Sequence, residues 1–360
     1  MEGRKVNITE EGKGEDKVYI TVRPSREGIQ RWAAEKGFQP ATAEQVFWLA
    51  NILSNLSAHP YLRGRLVLKG GTALNLFVLD TPRLSVDLDL DYIGKVEKEG
   101  MLKERPEVER AIESVLGAIS LGFRKRSEYA ATIYRVQYRS VLVGGGAVDV
   151  EINWLMRLPL LPPQERDCDF LALRVKAKTL ATEELMAGKM KAFLERGEGR
   201  DLFDLYMMAK GEISVDRGIW RKLAIALFST VSERNISGNK GIEIEDLREY
   251  RPEHALDLDE REIRRRLEPV LPAGSMPSVR EMVEAVEPLV REVLDWDEGE
   301  RAYMDALLDR GEVRGDLLFP DMPDLAQRWQ NHPVVIWEAE NVKDAIEKKR
   351  KKREKADRLA

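Results

Sequence analysis

The stretch from Lys69 to Tyr92, KGGTALNLFVLDTPRLSVDLDLDY, sets a glycine pair ahead of an apolar run and ends in three aspartates spaced two apart. Val86–Ile93 alternates strictly, which predicts a strand with Asp87, Asp89 and Asp91 on one face and Val86, Leu88, Leu90 and Tyr92 on the other. Carboxylates a few ångströms apart repel and resist ionising together, so cations or an exposed position must offset the cost. A divalent metal is the economical explanation, because aspartates that hold a metal pair can orient a nucleotide phosphate for in-line displacement. A bare Asp-x-Asp also reads as the acidic face of an edge strand. Asp257 and Asp259, in LDLDEREIRRRL, give an internal comparison: no glycine turn precedes them, and the segment reads as the start of a charged helix.

Two familiar ion and phosphate motifs are excluded. Counted from Asp87, the sixth and twelfth positions of an EF-hand loop would be Tyr92 and Lys98, where Gly and Glu are required. Lys69 precedes its glycines, so the spacing of a P-loop is absent. Gly70 and Gly71 would instead allow close backbone approach to phosphate where the helix TALNLFVL begins, although glycines at a strand-to-helix junction are also ordinary turn residues.

Working outward, Leu66–Lys69 reads as a short strand, and Thr42–Leu56 and Glu107–Leu121 as helices. YAATIYRVQYRSVLVGGGAVDVEINW reads as an antiparallel hairpin turning through Gly144–Gly146, and Phe170–Lys178 as a further strand. Strand signals then give way to helical spacing in TEELMAGKMKAFLER, RDLFDLYMMAKG and most of residues 216–310. The predicted class is α+β: a mixed sheet with flanking helices over residues 1–180, a mainly helical domain over 181–342 and a basic helical tail over 343–360.

Across 360 residues, 43% of them hydrophobic, no apolar run approaches the roughly 20 residues of a membrane span. Met1–Asp16 is polar and lacks a signal-type segment, so a cytoplasmic protein with no membrane partner is expected. One cysteine, Cys168, excludes an internal disulfide, and three scattered histidines exclude a zinc site built mainly from Cys and His. Any metal must be held by carboxylates. The formal net charge is −5, yet Lys343–Arg358 alone holds nine Lys or Arg against four Asp or Glu. Such a run is either a solvated helix end or a phosphate-backbone contact.

Strand, Gly-Gly, helix and an Asp-x-Asp strand together resemble the nucleotidyltransferase fold of the DNA polymerase beta type. Within that superfamily, LKGGTALNLF followed by RLSVDLDLDY is similar to the AbiEii/AbiGii toxin family, whose first motif has GGTAL and then R-x-S-x-D-x-D. Arg83, Ser85, Asp87 and Asp89 fall on that pattern. The resemblance covers roughly residues 66–206 by motif. It implies a third carboxylate in VDVEIN, given to Glu151 with Asp149 in reserve, and a lysine on a following helix, given to Lys189 in MAGKMKAFLERGEGRDLFDLY. In that segment Lys189 and Arg196 are seven apart on nearly one helical face, Asp201 is placed to cap the next helix, and Asp204 to orient Lys189 or Arg200. Asp91 exceeds what the family needs and is expected to bind metal or face water.

The implied activity is NTP-dependent nucleotidyl transfer with release of pyrophosphate. Asp87, Asp89 and Glu151 would hold Mg²⁺, or Mn²⁺ in its place; Gly70, Gly71, Thr72 and Arg83 would bind the nucleotide with Ser85 beside them, and Lys189 would steady the triphosphate. The implied acceptor is RNA, at the 3′ end of tRNA, and the implied setting is the toxin half of a toxin–antitoxin or phage-defence pair, with an antitoxin encoded nearby. Transfer to a small antibiotic-type molecule or to a protein, and a non-catalytic nucleotide or metal sensor, remain open at this stage.

Overall fold

The computed structural model describes residues 22–230, 247 and 250–357. Met1–Asp16, residues 231–246 of the helical stretch and Arg358 of the basic run lie outside the described residues. The chain divides into two compact units, Met1–Leu185 with Arg261–Ser278, and Met186–Glu260 with Val279–Ala360.

The first unit is built on a seven-stranded mixed sheet. Its strands are β1 (Leu66–Leu68), β2 (Asp87–Tyr92), β3 (Gly122–Ser127), β4 (Ala131–Arg139), β5 (Gly145–Asn153), β6 (Gln164–Phe170) and β7 (Leu173–Thr179). They lie in the order β3-β4-β5-β2-β1-β7-β6. β2 runs parallel to β5 and β1 to β7, while the other neighbours are antiparallel. The mixed sheet with flanking helices is as the sequence predicts, including the β4–β5 hairpin, where Gly144 takes a left-handed φ of 68°. The sequence reading missed β3 and β6. Both are edge strands, GFRKRS and QERDCDF, and a strand with one neighbour and little buried area needs neither alternation nor a run of apolar residues.

Helix α1 (Arg26–Lys36) is capped by Ser25, whose Oγ accepts from the Gly28 N–H at 3.0 Å. Helix α2 (Pro40–Ala58) starts on proline, which fits a first turn because the missing N–H would be unsatisfied there anyway. Val46, Leu49, Ala50, Leu53 and Leu56 of α2 are buried, as are Leu88 and Leu90 of β2 and Val148, Val150 and Ile152 of β5. α2 packs on β7, β5 and β2, so the core of this unit fills one face of the sheet. Helix α4 (Lys98–Ala118) starts before the predicted Glu107 and runs through Pro106; Leu102, whose carbonyl loses its donor to that proline, is exposed. The segment Arg261–Ser278 joins this unit through the Leu84 N–H to Val270 carbonyl bond at 2.7 Å and the Ala273 N–H to Gly37 carbonyl bond at 2.8 Å.

The second unit is helical among its described residues. It takes the later turns of α5 (Thr182–Arg196), then α6 (Gly199–Ala209), α7 (Arg217–Phe228) and, among others, helices Val279–Leu294, Glu298–Arg310, Pro323–Gln330 and Pro333–Asp357. Val279–Leu294 buries Met282, Val286, Leu289, Val290 and Val293 and packs on α6 and α7. Two buried polar sets stitch the helices together: Arg221 pairs with Glu300, and Trp329 Nε1 donates at 2.9 Å to the Tyr303 hydroxyl, which lies 2.8 Å from Ser229 Oγ. Among the described residues no helix is long and apolar enough to cross a membrane.

Candidate active site

Pairing of β2 with β5 sets Asp87 beside Asp149, Asp89 beside Glu151 and Asp91 beside Asn153. Neighbouring strands lie about 4.8 Å apart, so four half-buried carboxylates share one patch on the sheet face opposite the α2 core. The three aspartates of β2 differ in environment. Asp91 is 2% exposed and pairs with Lys69 Nζ at 3.2 Å, so it does not face water as the sequence reading allowed. The lysine ahead of the glycine pair was the available signal, but only the β1–β2 pairing brings Lys69 to Asp91. Asp149 Oδ2 accepts from Arg135 Nη1 at 2.7 Å, whereas its Oδ1 is buried with no hydrogen-bond partner among the described residues.

That unsatisfied oxygen bears on whether a metal fits. A buried carboxylate oxygen without a donor is stabilised by a cation, and hard oxygen donors suit Mg²⁺, which is usually held by one or two carboxylates together with substrate phosphates. Asp87 and Asp89, with Asp149 and Glu151 alongside, are such a donor set. Among the described residues no three His, Cys, Asp or Glu side chains are gathered to hold an ion by themselves, so the set expected of Asp87, Asp89 and Glu151 is not drawn together around one point.

The glycine turn packs directly on these acids. Gly70 has a left-handed φ of 70°, and a Cβ there would lie 2.5 Å from Asp89 Oδ2. Only glycine combines that backbone with that contact. A Cβ on Gly71 would meet Ser85 Oγ at 2.7 Å and Arg83 Nη2 at 2.8 Å, which places Arg83 and Ser85, 1% and 8% exposed, against the inner side of the turn. Arg83 Nη1 also donates to the Leu84 carbonyl at 3.0 Å. The turn opens helix α3 (Gly70–Ala73), which continues as a π-helical turn, Leu74–Val78, where the sequence predicted one plain helix. Thr72 Oγ1 donates to the Asp87 carbonyl at 2.5 Å, fixing the helix start to β2, and Asn75 Nδ2 donates to the Gly71 carbonyl at 2.8 Å within the same segment. The sequence reading gave Asn75 no role.

In the second unit Lys189 is 8% exposed, and its Nζ lies 2.9 Å from Asp201 Oδ1 and 3.0 Å from Asp204 Oδ2, both residues fully buried. Arg196 donates to Asp201 Oδ2 through Nε at 2.8 Å. Burial alone would raise the Asp201 pKa, but the Lys189 and Arg196 charges and hydrogen bonds outweigh it and hold the carboxyl well below the usual carboxylate range. Asp204 does orient Lys189. Asp201 sits in the first turn of α6, but the N-cap is Glu198, and Asp201 acts by binding Lys189 and Arg196. Lys191, two residues along, pairs with Glu195 at 2.9 Å, one turn further on the same helix.

Residues 51–285 match the family described as "Nucleotidyl transferase AbiEii toxin, Type IV TA system". Among solved structures, MenT4, a nucleotidyltransferase toxin from Mycobacterium tuberculosis H37Rv, is similar at 18% identity with a TM-score of 0.56, over 78% of this chain and 94% of that one. That likeness is one of fold. The CdnC:HORMA-deltaN complex of E. coli MS115-1 aligns at 14% identity over 87% of this chain and 98% of that one, with a TM-score of 0.24 too low to carry an argument. No curated protein matches the chain.

Proposed function

Because the chain belongs to the AbiEii family of nucleotidyltransferase toxins of type IV toxin–antitoxin systems, we propose that it transfers a nucleoside monophosphate from an NTP to the 3′-hydroxyl of RNA, with tRNA as the acceptor, in a Mg²⁺-dependent reaction. The observation that carries this reading is the placement of Asp89 beside Glu151 with the Gly70 turn packed on Asp89, which puts acids and a glycine turn at one spot.

Asp87 and Asp89 are the metal-holding pair, and Glu151 completes the set and takes the proton of the acceptor hydroxyl. Bound metal would lower the pKa of that hydroxyl and neutralise the charge of the leaving pyrophosphate. The acceptor oxygen bonds to the α-phosphorus as the bond to the β-phosphate breaks. Gly70, Gly71 and Thr72 present backbone to the triphosphate, whereas Arg83 and Ser85, expected from the sequence to bind the nucleotide, are buried against the turn and hold it from inside. Lys189 takes the phosphate-steadying role that its motif implies, with Asp201 and Asp204 fixing its ammonium.

The test is to incubate the whole protein with each NTP, labelled in its α-phosphate, with Mg²⁺ and tRNA. Label at the RNA 3′ end supports the assignment. Label on an aminoglycoside with none on RNA, or on a protein side chain, would replace RNA by that acceptor, and no transfer to any acceptor would make the chain a nucleotide or metal sensor.

A further inference from the structure

The sheet face that carries the acids turns basic two strands away. β4 lies beside β5 and the edge strand β3 beside β4, and their pairings extend the same rows. Asp87, Asp149, Arg135 and Arg124 form one row, and Asp89, Glu151, Ile133 and Arg126 the next. At about 4.8 Å per strand each row spans roughly 14 Å. Arg139 adds another cation further along β4, on the same face as Arg135. All four arginines are exposed.

Their partners set them apart from the cations that hold the fold. On the opposite face of β3, Lys125 is engaged by Glu109 at 2.9 Å and Glu113 at 2.8 Å from α4. Arg126 has only an exposed contact with Glu128 at 3.3 Å, and Arg124 and Arg139 make no ion pair among the described residues. Charge on an edge strand also guards against sheet-to-sheet association, which would account for Arg124 and Arg126 but not for Arg139 on the interior strand β4.

We propose that Arg124, Arg126 and Arg139 form a ledge that holds the phosphodiester backbone of the acceptor RNA while its 3′-hydroxyl reaches the carboxylates. This rests on the RNA-acceptor reading above. A polyanion is repelled by the acidic patch and needs cations on its approach; the ledge supplies them in the same rows as the acids, with Arg135 bridging the two zones by its bond to Asp149. A small-molecule acceptor would have no use for cations this far from the acids.

The experiment measures binding of a fluorescein-labelled single-stranded oligoribonucleotide with a free 3′-hydroxyl to the whole protein between 50 and 200 mM salt. With Arg124→Gln/Arg139→Gln the log–log salt slope should fall by about 1.4, two single-strand phosphate contacts at about 0.7 each, so that over this range the loss of affinity is about sevenfold smaller than in wild type. Arg124→Lys/Arg139→Lys should keep most of the slope and shows that the sheet edge tolerates substitution. Arg280→Gln/Arg310→Gln, an equal loss of charge on exposed helices of the second unit, should leave the slope unchanged. An unchanged slope in the β3/β4 variant while wild type binds and labels RNA overturns the ledge and leaves the acceptor reading standing. Wild type that neither binds nor labels RNA overturns both, and a variant that keeps RNA binding but loses the cognate antitoxin reassigns the ledge to a protein contact.

Discussion

Replacing Lys189 by methionine, which keeps the length of the side chain and removes the charge, should strike stability and catalysis separately. Lys189 is 8% exposed, and its ammonium lies 2.9 and 3.0 Å from Asp201 and Asp204, both residues fully buried. Removing one partner of a buried ion pair costs about 3–5 kcal/mol, and since Asp201 keeps Arg196 the loss belongs at the lower end, about 3 kcal/mol. At roughly 2–4 °C per kcal/mol the melting temperature should fall by about 6–12 °C. The folded-state pKa of Asp201 is depressed, so its contribution is present above the unfolded value of about 3.9 and is lost as pH falls below it toward the folded value. The stability gap between wild type and Lys189→Met should therefore be full at neutral pH and narrow under acid. Urea denaturation followed by circular dichroism at pH 7 and across the acid range measures it. A gap below about 1 kcal/mol at pH 7 would refute the buried ion cluster. If Lys189 also meets the triphosphate, kcat/KM per folded molecule should drop by about 30- to 900-fold, the equivalent of 2–4 kcal/mol for a lost transition-state donor, whereas Lys191→Met should cost much less because residues two apart on a helix point in different directions. Equal losses in the two variants would remove the phosphate role and leave a structural one.

Asp87→Asn or Asp89→Asn should abolish nucleotide transfer with a melting temperature at least as high as wild type, because like charges are relieved; near wild-type turnover in either would end their assignment to metal. Gly70→Ala should destabilise the first unit by about 1–3 kcal/mol from the left-handed φ alone and cost transfer activity as well, since the new Cβ drives into Asp89; an active, equally stable variant would mean the turn is not as described. Thr72→Val leaves the Asp87 carbonyl without its side-chain donor and should cost about 1–3 kcal/mol in urea denaturation. Asp257→Asn should change neither stability nor turnover by a measurable amount, because Asp257 closes the short helix Pro252–Leu256 ahead of Glu260–Leu267 and belongs to no strand.

The sequence by itself determined the local features here. Alternation over Val86–Ile93, the glycine pair before an apolar run and the switch to helical spacing after Lys178 each follow from side-chain period and backbone allowance within a few residues, and the class and the motif residues were legible from them. Sequence determined neither the edge strands, which carry too little apolar pattern, nor the fate of charges whose partners are far along the chain. Asp87, Asp89 and Asp91 look equivalent in sequence. Sheet order makes them unlike, by placing Lys69 of the β1 end against Asp91 and the β5 acids Asp149 and Glu151 beside Asp87 and Asp89. Likewise Asp201 reads as a helix cap, and becomes a buried counter-ion only because α5 brings Lys189 and Arg196 onto it. Desolvation and Coulomb energies depend on distance through space, and that distance is fixed by the tertiary fold rather than by position along the chain.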